Sequence, residues 1–320
     1  MLNERSKDGI PHPVETECPL PLNSMVMKPR LLISYAHPDD ESFGLGAAIA
    51  KLVDEGVDVY LICATNGERG TISPELMEGY NSIAELRLAE LDCAVQKLRI
   101  KEVFKLGYKD SGMMGSPTCD DTECLWQAPV EDVTRRCVEV IRDVQPQVVI
   151  TFNKYGGYGH PDHIAIQRAT TKAFELAGDA SYATGQPTYQ PQKLYFSSIP
   201  KRQLQLGMML LRARGIDPRK LGRNKDLDLM AILENVEPTH TILDVSRYFV
   251  AWDEANQCHK SQLGGGGPTW RMPLTLRKWF APHQGFTRVH PAPPSNRIDE
   301  HSLFAGVKLD ERTPAPITTN

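Results

Sequence analysis

The chain has 320 residues, 41% of them hydrophobic and 24% charged, with a formal net charge of −4. That is ordinary globular composition, enough for one large domain or two modest ones, and without a dense basic block it argues against a nucleic-acid partner. Seven scattered cysteines argue against a disulfide framework and fit a reducing cytoplasm; no stretch nears the roughly 18 apolar residues of a membrane helix, so no membrane partner is expected.

Residues 1–29 carry prolines and charges and no apolar run of signal-peptide length, and read as a flexible leader. From Arg30 the pattern becomes regular. "RLLISYA" reads as a buried strand, followed by a helix from about Ser42 to Asp54 and a second strand, "VDVYLICAT". A helix over Ser82 to Leu98 places Ile83, Leu86, Ala89, Leu91, Ala94 and Leu98 roughly on one face; "EVFKLGY" is the third strand. Helices over Val130 to Val144 and Asp162 to Leu176 bracket a fourth strand, "PQVVITF", and "KLYFSSI" is a fifth.

Strands without clean alternation, each separated by a helix, indicate parallel βαβ units buried on both faces. The expected fold is α/β, a Rossmann-like doubly wound, mostly parallel sheet in one main domain over residues 30–290. Residues 201–263 read as mostly helical, with "KRQLQLGMMLLRARG" and "SRYFVAWDEANQCHKSQL" the clearest helices. "LGGGGPTW" reads as a connector and residues 291–320 as an irregular tail. Ligands of such sheets bind at the carboxyl ends of the strands, near the switch in strand order.

The chemistry lies there. Directly after strand one comes "HPDDE", in which His37 and Asp40 are spaced i, i+3, so one helical turn brings both to one side. An imidazole and a carboxylate so placed suit Zn²⁺ or a similar divalent ion. Directly after strand four comes "GGYGHPDHIA", with His160 and His163 also i, i+3 and Asp162 between them; Pro161 suits the first helical turn. His37, Asp40 and His163 make a three-ligand catalytic set, and Asp39 and His160 remain for proton transfer and charge stabilisation. Either motif alone reads equally as an acidic helix cap. Two of them at strand ends of one sheet do not. The glycines of "FGLGAA" lack the third glycine of a dinucleotide loop.

"AHPDDE" with "GGYGHPDH" resembles the LmbE-like, or PIG-L, zinc N-deacetylases, and most of all the branch acting in the mycothiol pathway, over about residues 31–178. The resemblance implies His37, Asp40 and His163 as metal ligands and Asp39 as general base. It implies a protonated His160 that stabilises the oxyanion or protonates the leaving amine, with Asp162 orienting it and Tyr158 a further oxyanion donor. Arg87 in "RLAEL" and Asp110 in "YKDSGM" match family positions that contact the sugar or its attached group. Glu68 in "TNGERG" either lines the site or holds the loop. His259 in "HKSQ" either approaches the pocket or is structural.

The expected activity is hydrolytic removal of an acetyl group from an N-acetylglucosaminyl small molecule, by water activated on zinc, with iron(II) the other ion this ligand set accepts. Two alternatives stay open: an amidase for a larger acyl group, and a metal-dependent sugar-binding protein without turnover. "MMGSPTCDDTECLW" reads as a lid over the pocket, and Cys119 and Cys124 with the acids between them read as an exposed acidic loop rather than a second metal site. Residues 201–240 match no known pattern, and an oligomer is compatible with everything above.

Overall fold

The computed structural model describes residues 28–222, 225, 227–263, 275, 278 and 282–309. The expected leader up to residue 27, the glycines of the connector and the tail beyond residue 309 lie outside them. One compact unit spans Lys28–Lys308.

Its centre is a seven-stranded sheet in the order β3-β2-β1-β4-β5-β7-β6. Strands β1 (Arg30–Tyr35), β2 (Asp58–Thr65), β3 (Glu102–Tyr108), β4 (Val148–Thr151) and β5 (Lys193–Ser198) run parallel. The apolar runs of β1 and β4 have no solvent face to offer: Leu31, Leu32 and Ile33 pair with Val148, Val149 and Ile150, and all six are at most 1% exposed. That is why the strands read as continuous rather than alternating.

Helices α1 (Asp40–Asp54) and α2 (Ile83–Leu98) pack with α8 (Phe249–Asn256), and α3 (Val130–Val144) packs with α5 (Pro161–Leu176). Right-handed crossovers put these two groups on opposite faces of the sheet. Helix α1 begins two residues before the expected start, so Asp40 is its first residue. Among the described residues no helix is long and apolar enough to cross a membrane.

The chain beyond β5 departs from the mostly helical expectation. Helices α6 (Lys201–Ala213), α7 (Leu229–Glu234) and α8 are present, but a four-residue strand, β6 (Thr241–Asp244), lies between them. It pairs with β7 (His283–His290), which runs antiparallel to both its neighbours. Periodicity could not show β7, because its buried positions include Thr287 and Arg288. Arg288 is tolerated there through ion pairs with Asp299 and Glu300 at 2.7 and 2.6 Å. The segment that carries these acids has no helix or strand, yet Leu303 in it is fully buried.

The expected helix over 246–263 stops at Asn256, and the next residues are taken by tertiary contacts instead. Cys258 forms a disulfide with Cys93 of α2, across 165 residues of sequence. The sequence argued against a disulfide framework, and this single bridge escaped it because a separation of that size leaves no local signal.

Candidate active site

Strands β1 and β4 are neighbours, and the chain leaves them toward opposite ends of the sheet, so the switch in strand order falls between them. His37 follows β1 by two residues. Three glycines with positive φ (Gly156 69°, Gly157 70°, Gly159 91°) turn the chain after β4 through a single short turn, α4 (Gly156–Gly159). A Cβ on Gly156 would stand 3.0 Å from the Cβ of His163, so only glycine lets this turn lie against the start of α5.

The two motifs meet. His37 Nδ1 lies 3.0 Å from His163 Nε2, Asp40 Oδ2 lies 3.4 Å from that Nδ1, and Asp40 Oδ1 lies 3.3 Å from that Nε2. The other ring nitrogens face acceptors: His37 Nε2–H donates to Asp162 Oδ2 at 3.1 Å and His163 Nδ1–H to the Gly156 carbonyl at 3.0 Å. These outer bonds fix both tautomers, leaving two nitrogen lone pairs and a carboxylate aimed at one point with no proton to share. Such an arrangement calls for a cation, and tetrahedral zinc sets its donor atoms about 3.3 Å apart. The surroundings agree: the carboxylates of Asp40, Asp110 and Asp162 lie 3.4, 3.6 and 3.1 Å from the His37 ring nitrogens and make this point electronegative. The residues fit a divalent ion.

Asp39 stands beside this point with φ +123°. Arg87 Nη2 donates to its Oδ2 at 2.9 Å, and Nη1 reaches the Gly67 carbonyl at 2.8 Å. Burial raises the Asp39 carboxyl to about 6, against the pull of Arg87. Arg87 is itself only 3% exposed. The structure thus places it behind Asp39, where the resemblance implied a substrate contact.

His160 Nδ1 accepts from the Asp162 backbone N–H at 3.2 Å, which leaves Nε2 to carry the proton. Burial, then the neighbouring His37 and His163 rings, hold His160 well below the usual imidazole range. Asp162 Oδ2 is 4.0 Å from His160 Nδ1, and its carboxylate instead receives His37 and both the N–H and hydroxyl of Ser111. Asp162 orients the metal-site imidazole more directly than it orients His160.

The Tyr158 ring lies 5.0 Å from that of His163 and 5.9 Å from that of His160, centre to centre. Burial raises its phenol far above the ordinary value, so it stays a neutral donor. Tyr155 and Tyr158 pack against Leu204, Met208 and Ile232, so α6 and α7, in the stretch whose sequence matches no known pattern, form the apolar backing of this turn. Asp110 lies 3.6 Å from His37 Nε2 and accepts from the Gly112 N–H at 2.8 Å. Glu68 Oε1 accepts from the Asp110 N–H at 3.2 Å, while its buried Oε2 has no partner. His37, Asp110, His160 and Asp162 all offer ligand atoms within 4.8 Å of one another.

His259 is fully buried, with Nε2 on Glu41 Oε1 at 2.8 Å. Burial opposes charge on both partners, yet their attraction prevails: His259 is raised and Glu41 lowered. Glu41 and Ser111 stood inside the quoted motifs without an assigned role, and Phe152, stacked on His163 at 3.9 Å, carried no signal at all. In the expected lid, Cys119 and Cys124 are buried, and the Cys124 thiol donates to the Cys119 carbonyl. They join no metal-ligand cluster among the described residues.

A family model described as PIG-L, GlcNAc-PI de-N-acetylase, matches residues 32–174, from β1 to the end of α5. A 1D-myo-inositol 2-acetamido-2-deoxy-alpha-D-glucopyranoside deacetylase from Thermomonospora curvata is 36% identical over 244 residues, 73% of this chain and 80% of that one. The chain belongs to the PIG-L family. Among solved structures, N,N'-diacetylchitobiose deacetylase from Pyrococcus horikoshii is similar with a TM-score of 0.58 at 18% identity, covering 83% of this chain and 88% of that chain. A 4-carboxy-2-hydroxymuconate hydratase from Pseudomonas putida is similar with a TM-score of 0.55 at 18% identity, covering 84% and 99%. A PIG-L member therefore shares its sheet with proteins of more than one reaction, and the reaction must be argued from the site.

Proposed function

We propose that this chain is a metal-dependent N-deacetylase, a hydrolase that cleaves the acetamide of a small N-acetylglucosaminyl compound. The observation that carries the reading is the convergence of two proton-free imidazole nitrogens and a carboxylate beside a raised, partly shielded Asp39. The 36% identical relative is named for the same reaction on an inositol-linked sugar, which makes that compound the first substrate to try.

His37 Nδ1, His163 Nε2 and Asp40 would hold the ion, which we take to be zinc. When bound, such an ion lowers the pKa of a water toward about 7 and polarises an acyl carbonyl. Asp39 takes the proton of the attacking water; with Oδ2 on Arg87, Oδ1 is the oxygen for it. His160 Nε2–H and the Tyr158 hydroxyl donate to the oxygen that becomes anionic in the tetrahedral state. Asp39 then delivers its proton to the departing amine, so the C–N bond breaks to give a free amine and acetate. Asp110 and Glu68 would accept from sugar hydroxyls.

The test is primary-amine release by the metal-loaded protein from free N-acetylglucosamine, an inositol-linked form and one longer-acyl analogue. Release from an acetylated member, abolished by chelator, supports the reading. Release from the longer-acyl member alone would make the chain an amidase, and silence with the metal bound would remove this substrate class.

A further inference from the structure

The backbone of Asp39 is strained. The other described non-glycine residues with positive φ, namely Arg99, Gln145 and Lys225, lie between 52° and 60°, in the ordinary left-handed region. Asp39 lies at 123°, outside it. Such a conformation costs on the order of 1–3 kcal/mol and persists only where its surroundings enforce it.

The enforcement is visible. The Asp39 N–H donates to Glu41 Oε2 at 3.0 Å. Glu41 Oε1 receives Ser42 Oγ at 2.6 Å and His259 Nε2 at 2.8 Å, and all three side chains are fully buried. His259 is in turn carried by a segment fastened twice to α2. The Cys93–Cys258 disulfide precedes it, and the Ser261 N–H and hydroxyl donate to Glu90 at 2.8 and 2.6 Å two residues later. A carboxylate in an interior of this kind stays ionised and in place only with a partner held equally firmly.

We propose that Glu41 and His259 are positioning residues for the proton-transferring Asp39, a buried strut that runs from α2 through the 257–262 turn to the Asp39 backbone. This rests on Asp39 being the base of the proposed reaction. It assigns His259 no contact with substrate, since the ring has no exposed surface and its Nε2 is committed to Glu41.

The test compares the parent with His259→Ala, Glu41→Ala and the conservative Glu41→Gln and His259→Gln, all loaded with zinc. Bound metal, kcat, KM and amide hydrogen exchange over residues 37–43 are measured. Both alanine variants are expected to keep one ion per chain and KM within a few-fold, while kcat falls about ten- to a hundred-fold. Exchange of the Asp39 amide accelerates by about ten-fold or more, and Glu41→Gln, which retains an acceptor for that N–H, restores slow exchange. A raised KM with unchanged kcat, unchanged exchange in both alanine variants, or loss of the metal would overturn the proposal. If the alanine variants fail to fold, His259→Gln against Glu41→Gln carries the same comparison. If the parent turns over no substrate, the proposed reaction fails, and the exchange data still decide whether the strut holds Asp39.

Discussion

Arg87 Nη2 lies 2.9 Å from Asp39 Oδ2, and the same guanidinium donates to the carbonyls of Pro38 and Gly67. One buried cation therefore ties Pro38, the Asp39 carboxylate and the loop after β2 into one unit. Gly67 faces this guanidinium so closely that a Cβ there would collide with it.

Removing that cation has a calculable sign. In the proposed reaction Asp39 works ionised; its carboxyl is raised by burial to about 6, and Arg87 opposes the rise. Activity should fall as pH drops through that value. Arg87→Gln removes the opposing charge, so the acid limb of kcat/KM moves to higher pH, and Arg87→Lys moves it less. A pH profile of the three proteins checks this; coincident limbs would contradict it.

Ligand and base should separate by metal content. Asp39→Asn keeps both metal-facing imidazoles and Asp40, so it should hold one ion per chain and lose about 10²- to 10⁴-fold in kcat. His163→Gln removes a converging nitrogen and should lose the ion as well as the activity. Metal analysis beside amine release distinguishes the two.

Stability has a separate lever far from the chemistry. Arg142, 3% exposed, donates to the carbonyls of Leu176, Ala177, Asp179 and Tyr182, closing the C-terminal end of α5. Arg142→Met would leave these carbonyls without their donor, at a cost of about 3 kcal/mol in denaturant unfolding. Metal binding should be unaffected in the folded fraction.

The closing segment responds to acid. Burial alone would raise Glu300, but hydrogen bonds from Lys193, Tyr195 and Thr241 outweigh it and hold the carboxyl below its ordinary 4.5. A lowered folded value stabilises fully above the unfolded one and is lost as pH falls through the folded one. The melting temperature of the parent should exceed that of Glu300→Gln at pH 7, and the gap should close below about pH 4.5. A gap independent of pH would contradict this.

The convergence of His37, Asp40 and His163 was legible because these residues come as local pairs at strand ends, where i, i+3 spacing and the rule for parallel sheets say the same thing. The five parallel strands were legible for a related reason: buried on both faces, they show unbroken apolar runs. What failed to show depended on distant partners. No helical periodicity tells that Arg87 of α2 turns inward to Asp39, or that His259 ends on Glu41, 218 residues away in sequence. Asp162 lies beside His160 in the motif and yet serves His37, because Ser111 from another loop holds its carboxylate. Strand β7 hides its burial behind an ion-paired arginine, and Cys93 and Cys258 meet only once α8 has packed on α2.

In the proposed reaction one ion at His37, Asp40 and His163 runs the hydrolysis. The most direct measurement strips the protein with chelator, returns zinc in graded amounts, and follows amine release from the inositol-linked N-acetylglucosaminide against bound metal. No release is expected at zero occupancy, and a linear rise that ends at one ion per chain. Release from the stripped protein, or none at full occupancy, would contradict it.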